Sequence, residues 1–231
     1  MSEHSLESLS GIELLSDLGS IDLKEIENCC SYKYWKVQEQ IIDQQSKSTD
    51  VYFVINGNVR VANYSISGRI ISFADLGAGS YFGELSALDG QPRSASILAL
   101  TNCLLAAFPQ GKFISLLKDH SSISLKVMRS LAQIVRTSTD RIMDLSTLAA
   151  NNRVQADLLR LANECIDVDI SAEISPIPIH SDIASRVSTS RETVARVLMN
   201  LAKRGIIERQ KKVLVVKDVK QLREMVEKIK G

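Results

Sequence analysis

The sequence predicts an α+β chain: a small β-roll of the jelly-roll kind, then one long helix, then a C-terminal winged helix-turn-helix. Three observations carry that prediction. Between residues 34 and 108, short β-rich runs such as Val51-Tyr52-Phe53-Val54-Ile55 are broken by Asn56-Gly57-Asn58, Ser67-Gly68 and Gly77-Ala78-Gly79, the rhythm of a small barrel or jelly roll. From Ser121 the apolar residues recur at steps of three, four and seven, which is a helical period. Residues 181–187 and 191–198 then flank the tight turn Ser188-Thr189-Ser190, a helix-turn-helix pattern. A chain of 231 residues is long enough for two small domains, each with its own core. The expected divisions are 1–120 for the roll, 121–150 for the long helix and a hinge, and 151–231 for the helix-turn-helix domain.

The formal charge of +1 conceals an asymmetry. Residues 1–60 hold 5 Lys/Arg against 10 Asp/Glu, whereas residues 180–212 hold 8 against 3. Basic charge is therefore local, as a nucleic-acid footprint would be. The four cysteines, Cys29, Cys30, Cys103 and Cys165, have no CxxC spacing, and no basic-then-apolar leader opens the chain. A reducing cytoplasm is the expectation. The longest apolar stretch, residues 104–108, is far short of the ~20 residues that span a bilayer, so no membrane association is expected.

Taken in order, residues 12–30 place Leu14, Leu15, Leu18, Leu23 and Ile26 among acids, which predicts short amphipathic helices that cap the β-rich region. Residues 59–64 and 69–73 pair as a hairpin across Ser67-Gly68. The next stretch, residues 81–95, carries the chemistry. A short helical turn opening at Gly83 aims main-chain N–H groups at an anion, and a glycine lets that anion approach closely. Arg93 adds a forked, permanently charged donor, and Ser94 adds a hydroxyl. Glu84 would be repelled by the same anion, so it is expected to face a neutral donor such as a ribose hydroxyl. The alternative is an ordinary turn at Asp89-Gly90-Gln91-Pro92 with Glu84 and Arg93 as solvated charges. Gly77, Gly79 and Gly83 are spaced GxGxxxG with no long helix and acid after them, so a dinucleotide fold is rejected.

Phe82-Gly83-Glu84-Leu85 followed by Pro92-Arg93-Ser94-Ala95 resembles the phosphate-binding cassette of cyclic-nucleotide-binding domains. The resemblance implies that Glu84 holds the ribose 2′-hydroxyl. It also implies that Arg93, Ser94 and the backbone at Gly83 and Leu85 hold the cyclic phosphate.

Pro109-Gln110-Gly111 ends the β region, and residues 112–118 read as a short helix. In the long helix, Val127, Leu131, Ile134, Ser138, Leu145 and Leu148 form one stripe. Met128, Ala132, Val135, Thr139, Ile142 and Ala149 form a second. Two apolar faces need two covers, the chain's own roll and the same helix of a second copy; the alternative is a helix buried within a monomer. Ser138 and Thr139 interrupt the stripes with adjacent hydroxyls pointing about 100° apart. In the cyclic-AMP receptor relatives a Thr/Ser pair here touches the purine from both subunits, and the order in this chain is reversed. A pair of back-bonded hydroxyls that bend the helix is the competing reading.

Asn151-Asn152 is expected to end the long helix and cap the next, over residues 153–165. After a polar loop containing Pro176 and Pro178 comes the helix-turn-helix. Ile183, Val187, Val194, Val197 and Leu198 face its core, and Ser190, Arg191, Glu192 and Arg196 face outward. Ser-Arg-Glu-Thr-Val-x-Arg is similar to the recognition helix of the cyclic-AMP receptor family, and the likeness now spans nearly the whole chain in order. It implies that Arg191, Arg196 and Glu192 read bases of a TGTGA-like half-site, with each arginine fork suited to guanine and the carboxylate to cytosine N4. Glu192 stands at capping-box spacing from Thr189, so it could serve the helix end instead. Ser188 occupies the place of a turn glycine in many relatives. Residues 205–216 complete a winged module of two apolar strands with a basic tip, and Lys211 there suits DNA phosphates. A final amphipathic helix, with Val219, Leu222, Val226 and Ile229, packs back on this domain.

These readings converge on a bacterial homodimeric transcription regulator that binds double-stranded DNA under the control of cyclic AMP, with cyclic GMP as the rival effector and RNA polymerase an implied partner. A redox or gas sensor on the same scaffold is the second class. Its cysteine spacing is wrong for an iron–sulphur cluster, and His4, His120 and His180 offer no haem ligand near the roll. The third class is an enzyme or kinase-regulatory module. No carboxylate pair, triad, metal motif or P-loop is present, so no catalytic or metal-binding residue is assigned.

Overall fold

The computed structural model describes residues 9–65, 70–168 and 171–230. The chain divides into two compact units, 1–134 and 135–231, and the division falls within helix α4 (Ser121–Thr147).

The first unit begins with two 3-10 turns, Leu9–Gly11 and Glu13–Leu15, and helix α1 (Ser20–Cys29). Eight strands come next: β1 (Ser31–Trp35), β2 (Gln40–Ile42), β3 (Val51–Asn56), β4 (Asn58–Tyr64), β5 (Ile70–Gly77), β6 (Tyr81–Phe82), β7 (Ser96–Ala99) and β8 (Cys103–Phe108). Helix α2 (Glu84–Asp89) lies between β6 and β7, and α3 (Gln110–Asp119) leads into α4. Two antiparallel four-stranded sheets, ordered β1-β8-β3-β6 and β2-β7-β4-β5, make the roll. The β4–β5 hairpin pairs Tyr64 with Ile70, as the alternation implied, while its Ser67-Gly68 turn lies outside the described residues, as does His4.

Period-two alternation explains how the roll is filled. On β8, Cys103 and Leu105 join a core with Val54, Val59, Phe82 and Ile97. Ala106 and Phe108, on the opposite face, join a second core with Phe53, Phe113, Ile123 and Val127. One sheet is thus covered by the other sheet on one face and by helices on the other. That double burial is why residues 103–108 read as an unbroken apolar run. The acid-rich N-terminal segment does cap this core: Leu9, Ile12, Leu14 and Leu15 are buried in it, and Lys126 of α4 pairs with Asp17 at 2.9 Å.

The second unit contains the rest of α4, then α5 (Ala150–Glu164), β9 (Ile166–Val168), β10 (Ser171–Ile174), α6 (His180–Arg186), α7 (Arg191–Lys203), β11 (Ile207–Gln210), β12 (Val213–Val216) and α8 (Val219–Lys230). Its sheet is ordered β11-β12-β10-β9. The segment before Pro176 is therefore two strands, not a polar loop. Ala172 and Ile174 are buried on alternate positions of β10, a pattern too short to stand out in the sequence. Asn151-Asn152 does not cap α5 either. Ala149 holds the N-cap position with no side-chain hydrogen bond, and the junction is closed by Arg153, whose Nη1 donates to the Leu148 carbonyl at 2.8 Å. Val219, Leu222 and Val226 of α8 are buried with α5 residues Val154, Leu158 and Ala162.

Candidate ligand pocket and nucleic-acid interface

In the roll, Gly83 adopts φ 89°, ψ 4° and turns the chain from β6 into α2. A Cβ at this position would sit 2.5 Å from Arg93 Nη1 and 2.8 Å from the Asp50 carbonyl oxygen, so glycine is required both by conformation and by space. Arg93 is 2 % exposed. Its Nε donates to Ser48 Oγ at 3.0 Å, Nη1 to the Gly83 carbonyl at 2.8 Å and Nη2 to the Asp50 carbonyl at 2.6 Å. All three acceptors are neutral, and among the described residues no carboxylate lies within ion-pair distance of the guanidinium. Its main chain is fixed as well, since Arg93 N–H donates to the Ser46 carbonyl and the Arg93 carbonyl accepts from Gln45 N–H.

Glu84 opens α2 and is 8 % exposed. Burial raises its pKa, opposed by hydrogen bonds from the main-chain N–H groups of Glu84 and Gly83 and by the charge of Arg93. Its carboxylate therefore takes N–H groups expected from the sequence to serve an anion. The reading of Glu84 and Arg93 as solvated surface charges fails, because both are interior. Leu85 and Ser94 are exposed, and the Ser94 carbonyl accepts from Asn63 Nδ2 at 3.1 Å.

Around this pair stand residues the motif does not name. Asn63 of β4 bridges the Ser94 carbonyl and the Ser96 N–H. Tyr52 stacks on Phe82 with ring centres 5.2 Å apart and lies 6.0 Å from the Arg93 guanidinium carbon. No sequence signal marks Ser48, in the loop between β2 and β3, or Asn63, on β4, because each meets the cassette from more than thirty residues away.

On α4, Val127 is buried and Leu131 half-buried, whereas Ile134, Ser138 and Leu145 of the same stripe are exposed. The second stripe is open along its length: Met128, Val135 and Ile142 are exposed, the last two at 64 % and 63 %. Ser138 and Thr139 belong to the second unit. Thr139 Oγ1 donates to the Val135 carbonyl at 3.0 Å, the back-bonded arrangement that competes with ligand contact, and Ser146 and Thr147 do the same to Ile142 and Met143.

The helix-turn-helix is α6, a turn and α7. Ile183, Val187, Val194 and Val197 are buried and Leu198 is partly buried. Ser188 has φ 51°, a left-handed residue where a glycine would be at ease. Arg153 holds this turn from behind, donating through Nε to the Val187 carbonyl and through Nη2 to the Ser188 carbonyl. Ser190, not Thr189, is the N-cap of α7, accepting from Thr193 N–H at 3.2 Å. The Glu192 carboxyl is held below its usual pKa by hydrogen bonds from its own N–H and the Ser190 hydroxyl and by Arg191, so it partly serves the helix end while remaining fully exposed. Arg191, Glu192 and Arg196 lie on the first half of α7, all three exposed, and Lys211 and Lys212 sit at the exposed tip between β11 and β12.

Two family models match this chain in the same order as these two sites: the cyclic nucleotide-binding domain over residues 32–120 and the Crp-like helix-turn-helix domain over residues 152–225. The chain belongs to the CRP family of transcription regulators. It is similar to the cAMP-activated global transcriptional regulator CRP of Salmonella typhimurium, 28 % identical over 193 residues that cover 83 % of this chain and 91 % of that one. The CRP-like cAMP-activated global transcriptional regulator of Mycobacterium tuberculosis is 29 % identical over 173 residues, 74 % of this chain and 77 % of that one. A solved structure of a CooA mutant from Carboxydothermus hydrogenoformans matches with a TM-score of 0.78 at 22 % identity, covering 93 % of this chain and 94 % of that chain. As a CRP-family member the chain carries a cyclic nucleotide-binding domain and a DNA-binding helix-turn-helix. Among the described residues no helix is long and apolar enough to cross a membrane, and no group of three or more His, Cys, Asp or Glu is placed to hold a metal ion.

Proposed function

We propose that this protein is a cytoplasmic homodimeric transcription regulator that binds palindromic TGTGA-like DNA sites when cyclic AMP occupies its roll. The observation that carries the reading is Arg93, a buried guanidinium whose hydrogen bonds run to neutral oxygens. Burying a charge without a counter-ion is costly, and a cyclic phosphate supplies one. A guanidinium has five N–H donors, so donors remain for phosphate oxygens beside the Leu85 backbone and the Ser94 hydroxyl, joined by the Gly83 N–H once the Glu84 carboxylate releases it. Glu84 accepts from the ribose 2′-hydroxyl.

The open stripe through Met128, Val135 and Ile142 is the dimer seam, covered by α4 of a second copy. Ser138 and Thr139 meet the purine from the two subunits once Thr139 exchanges its bond to the Val135 carbonyl for the base. Arg191 and Arg196 read guanines, Glu192 a cytosine, and Ser190 and Lys211 hold phosphates. RNA polymerase is the partner of the DNA-bound dimer. Hydroxyls both donate and accept, so cyclic GMP is the rival effector. Calorimetric titration with each nucleotide, followed by operator affinity at saturation, tests the reading. Tight binding of cyclic AMP with a large gain in operator affinity is expected. A gain from cyclic GMP alone, or from neither nucleotide, would overturn cyclic AMP as effector.

A further inference from the structure

Helix α7 has one closed face and one open face. Val194, Val197 and Leu201 are buried, and Leu198 is partly covered by the same core. At about 100° per residue these four fall within roughly 100° of arc. Arg191, Glu192, Arg196, Met199 and Lys203 are all exposed. Glu192 and Met199 point within about 20° of one another and nearly opposite the middle of the buried arc. Met199 is 59 % exposed, the one large apolar side chain that α7 leaves open among the described residues.

A lone exposed methionine elsewhere on the surface would need no account, but this one stands in line with Glu192 and, along the chain, between Arg196 and Lys203. A lysine or arginine there would neutralise a phosphate and release a counter-ion. The thioether brings no charge and no N–H or O–H donor, so phosphate contact gains nothing from it. What it offers is a flexible, polarisable apolar end. At the base edges of the major groove, the apolar group to be met is the C5-methyl of thymine. Met199 lies about 10 Å along the helix axis from Glu192, the span of roughly three stacked base pairs.

We propose, on the reading of α7 as the helix that enters the major groove, that Met199 is a specificity-determining residue. Its side chain packs on the C5-methyl of a thymine in each half-site, within roughly three base pairs of the pair met by Glu192, and so selects an A·T pair there. Operators recovered from random duplexes by the full-length protein with saturating cyclic AMP supply the probe. Each thymine is replaced in turn by deoxyuridine, which keeps every hydrogen-bonding group of the base and lacks only the methyl. One position per half-site is expected at which the replacement weakens wild-type binding by about fourfold, the worth of one buried methyl group. Met199→Ala should be indifferent to the same replacement, and Met199→Leu, which keeps an apolar end, should retain most of the penalty. Indifference of wild type to every deoxyuridine, or an equal penalty in wild type and Met199→Ala, would overturn the methyl contact. Arg191→Ala separates that failure from a failure of the α7 reading itself. If this variant relaxes a G·C position while deoxyuridine has no effect, the methyl contact alone is refuted. If it discriminates G·C mismatches as wild type does, α7 leaves the groove and Met199 with it.

Discussion

Replacing Gly83 with alanine strikes the roll where backbone and guanidinium are closest. The added Cβ would lie 2.5 Å from Arg93 Nη1 and 2.8 Å from the Asp50 carbonyl, so the arginine must move off an acceptor. Holding a non-glycine residue in the left-handed region costs ~1–2 kcal/mol. A hydrogen bond to a charged group contributes ~1.5–3 kcal/mol, and loss of even one brings the total to roughly 2.5–5 kcal/mol. That is a large share of the ~5–15 kcal/mol that keeps a domain folded. Trp35, the one tryptophan of the chain, lies in β1 of the same unit and reports its unfolding. Urea titration followed by Trp35 fluorescence should show a lower midpoint at unchanged slope, and calorimetry should show weakened cyclic AMP binding. A stability loss below ~1 kcal/mol, within the range of an ordinary substitution, together with unchanged affinity, would refute the close-approach argument.

Arg93→Leu is expected to weaken cyclic AMP binding by about tenfold or more, since it removes the charged fork; calorimetry on the folded variant decides it. Because burial raises the Glu84 pKa above the ordinary 4.5, the native state holds its proton more tightly than the unfolded chain. Stability of the first unit should therefore fall as pH rises from the ordinary carboxyl value through the raised one, and urea midpoints of Glu84→Gln should lose that slope. Arg191→Ala should cost ~1–3 kcal/mol on the matched operator and relax one G·C position per half-site, whereas Lys211→Ala should weaken all duplexes alike and flatten the salt dependence. Identical behaviour of the two on matched and mismatched operators would displace α7 from the groove. Val135→Glu with Ile142→Glu, at positions exposed in the single chain, should yield monomers by analytical ultracentrifugation; an intact dimer would show that the seam lies elsewhere.

The roll, the long helix and the helix-turn-helix are visible in the sequence because each rests on a local period or on turn residues. Strands β9 and β10 are not, since their three- and four-residue lengths give alternation too little room. Asn151-Asn152 misleads because the α4–α5 junction is closed at long range by Arg153, which leaves no local capping signature. At the cassette, the identities of Gly83, Glu84 and Arg93 can be read from spacing. That Arg93 is interior and rests on the Ser48 hydroxyl and two carbonyls cannot, since those partners come from 10 to 45 residues away. Ser188 is legible as an anomaly, a serine in a glycine's place, and its positive φ bears that out.

The strand β8 sends Cys103 and Leu105 into one core and Ala106 and Phe108 into the other. A strand shared in this way lets neither layer melt alone. Prising the helices from Phe108 exposes the far side of the backbone that carries Leu105, and opening the sheets undoes the ladder on which Phe108 stands. The roll and its helical cover should consequently pass through a single unfolding transition, with the amide hydrogens of β3 and β8, the two central strands of their sheet, among the last to exchange.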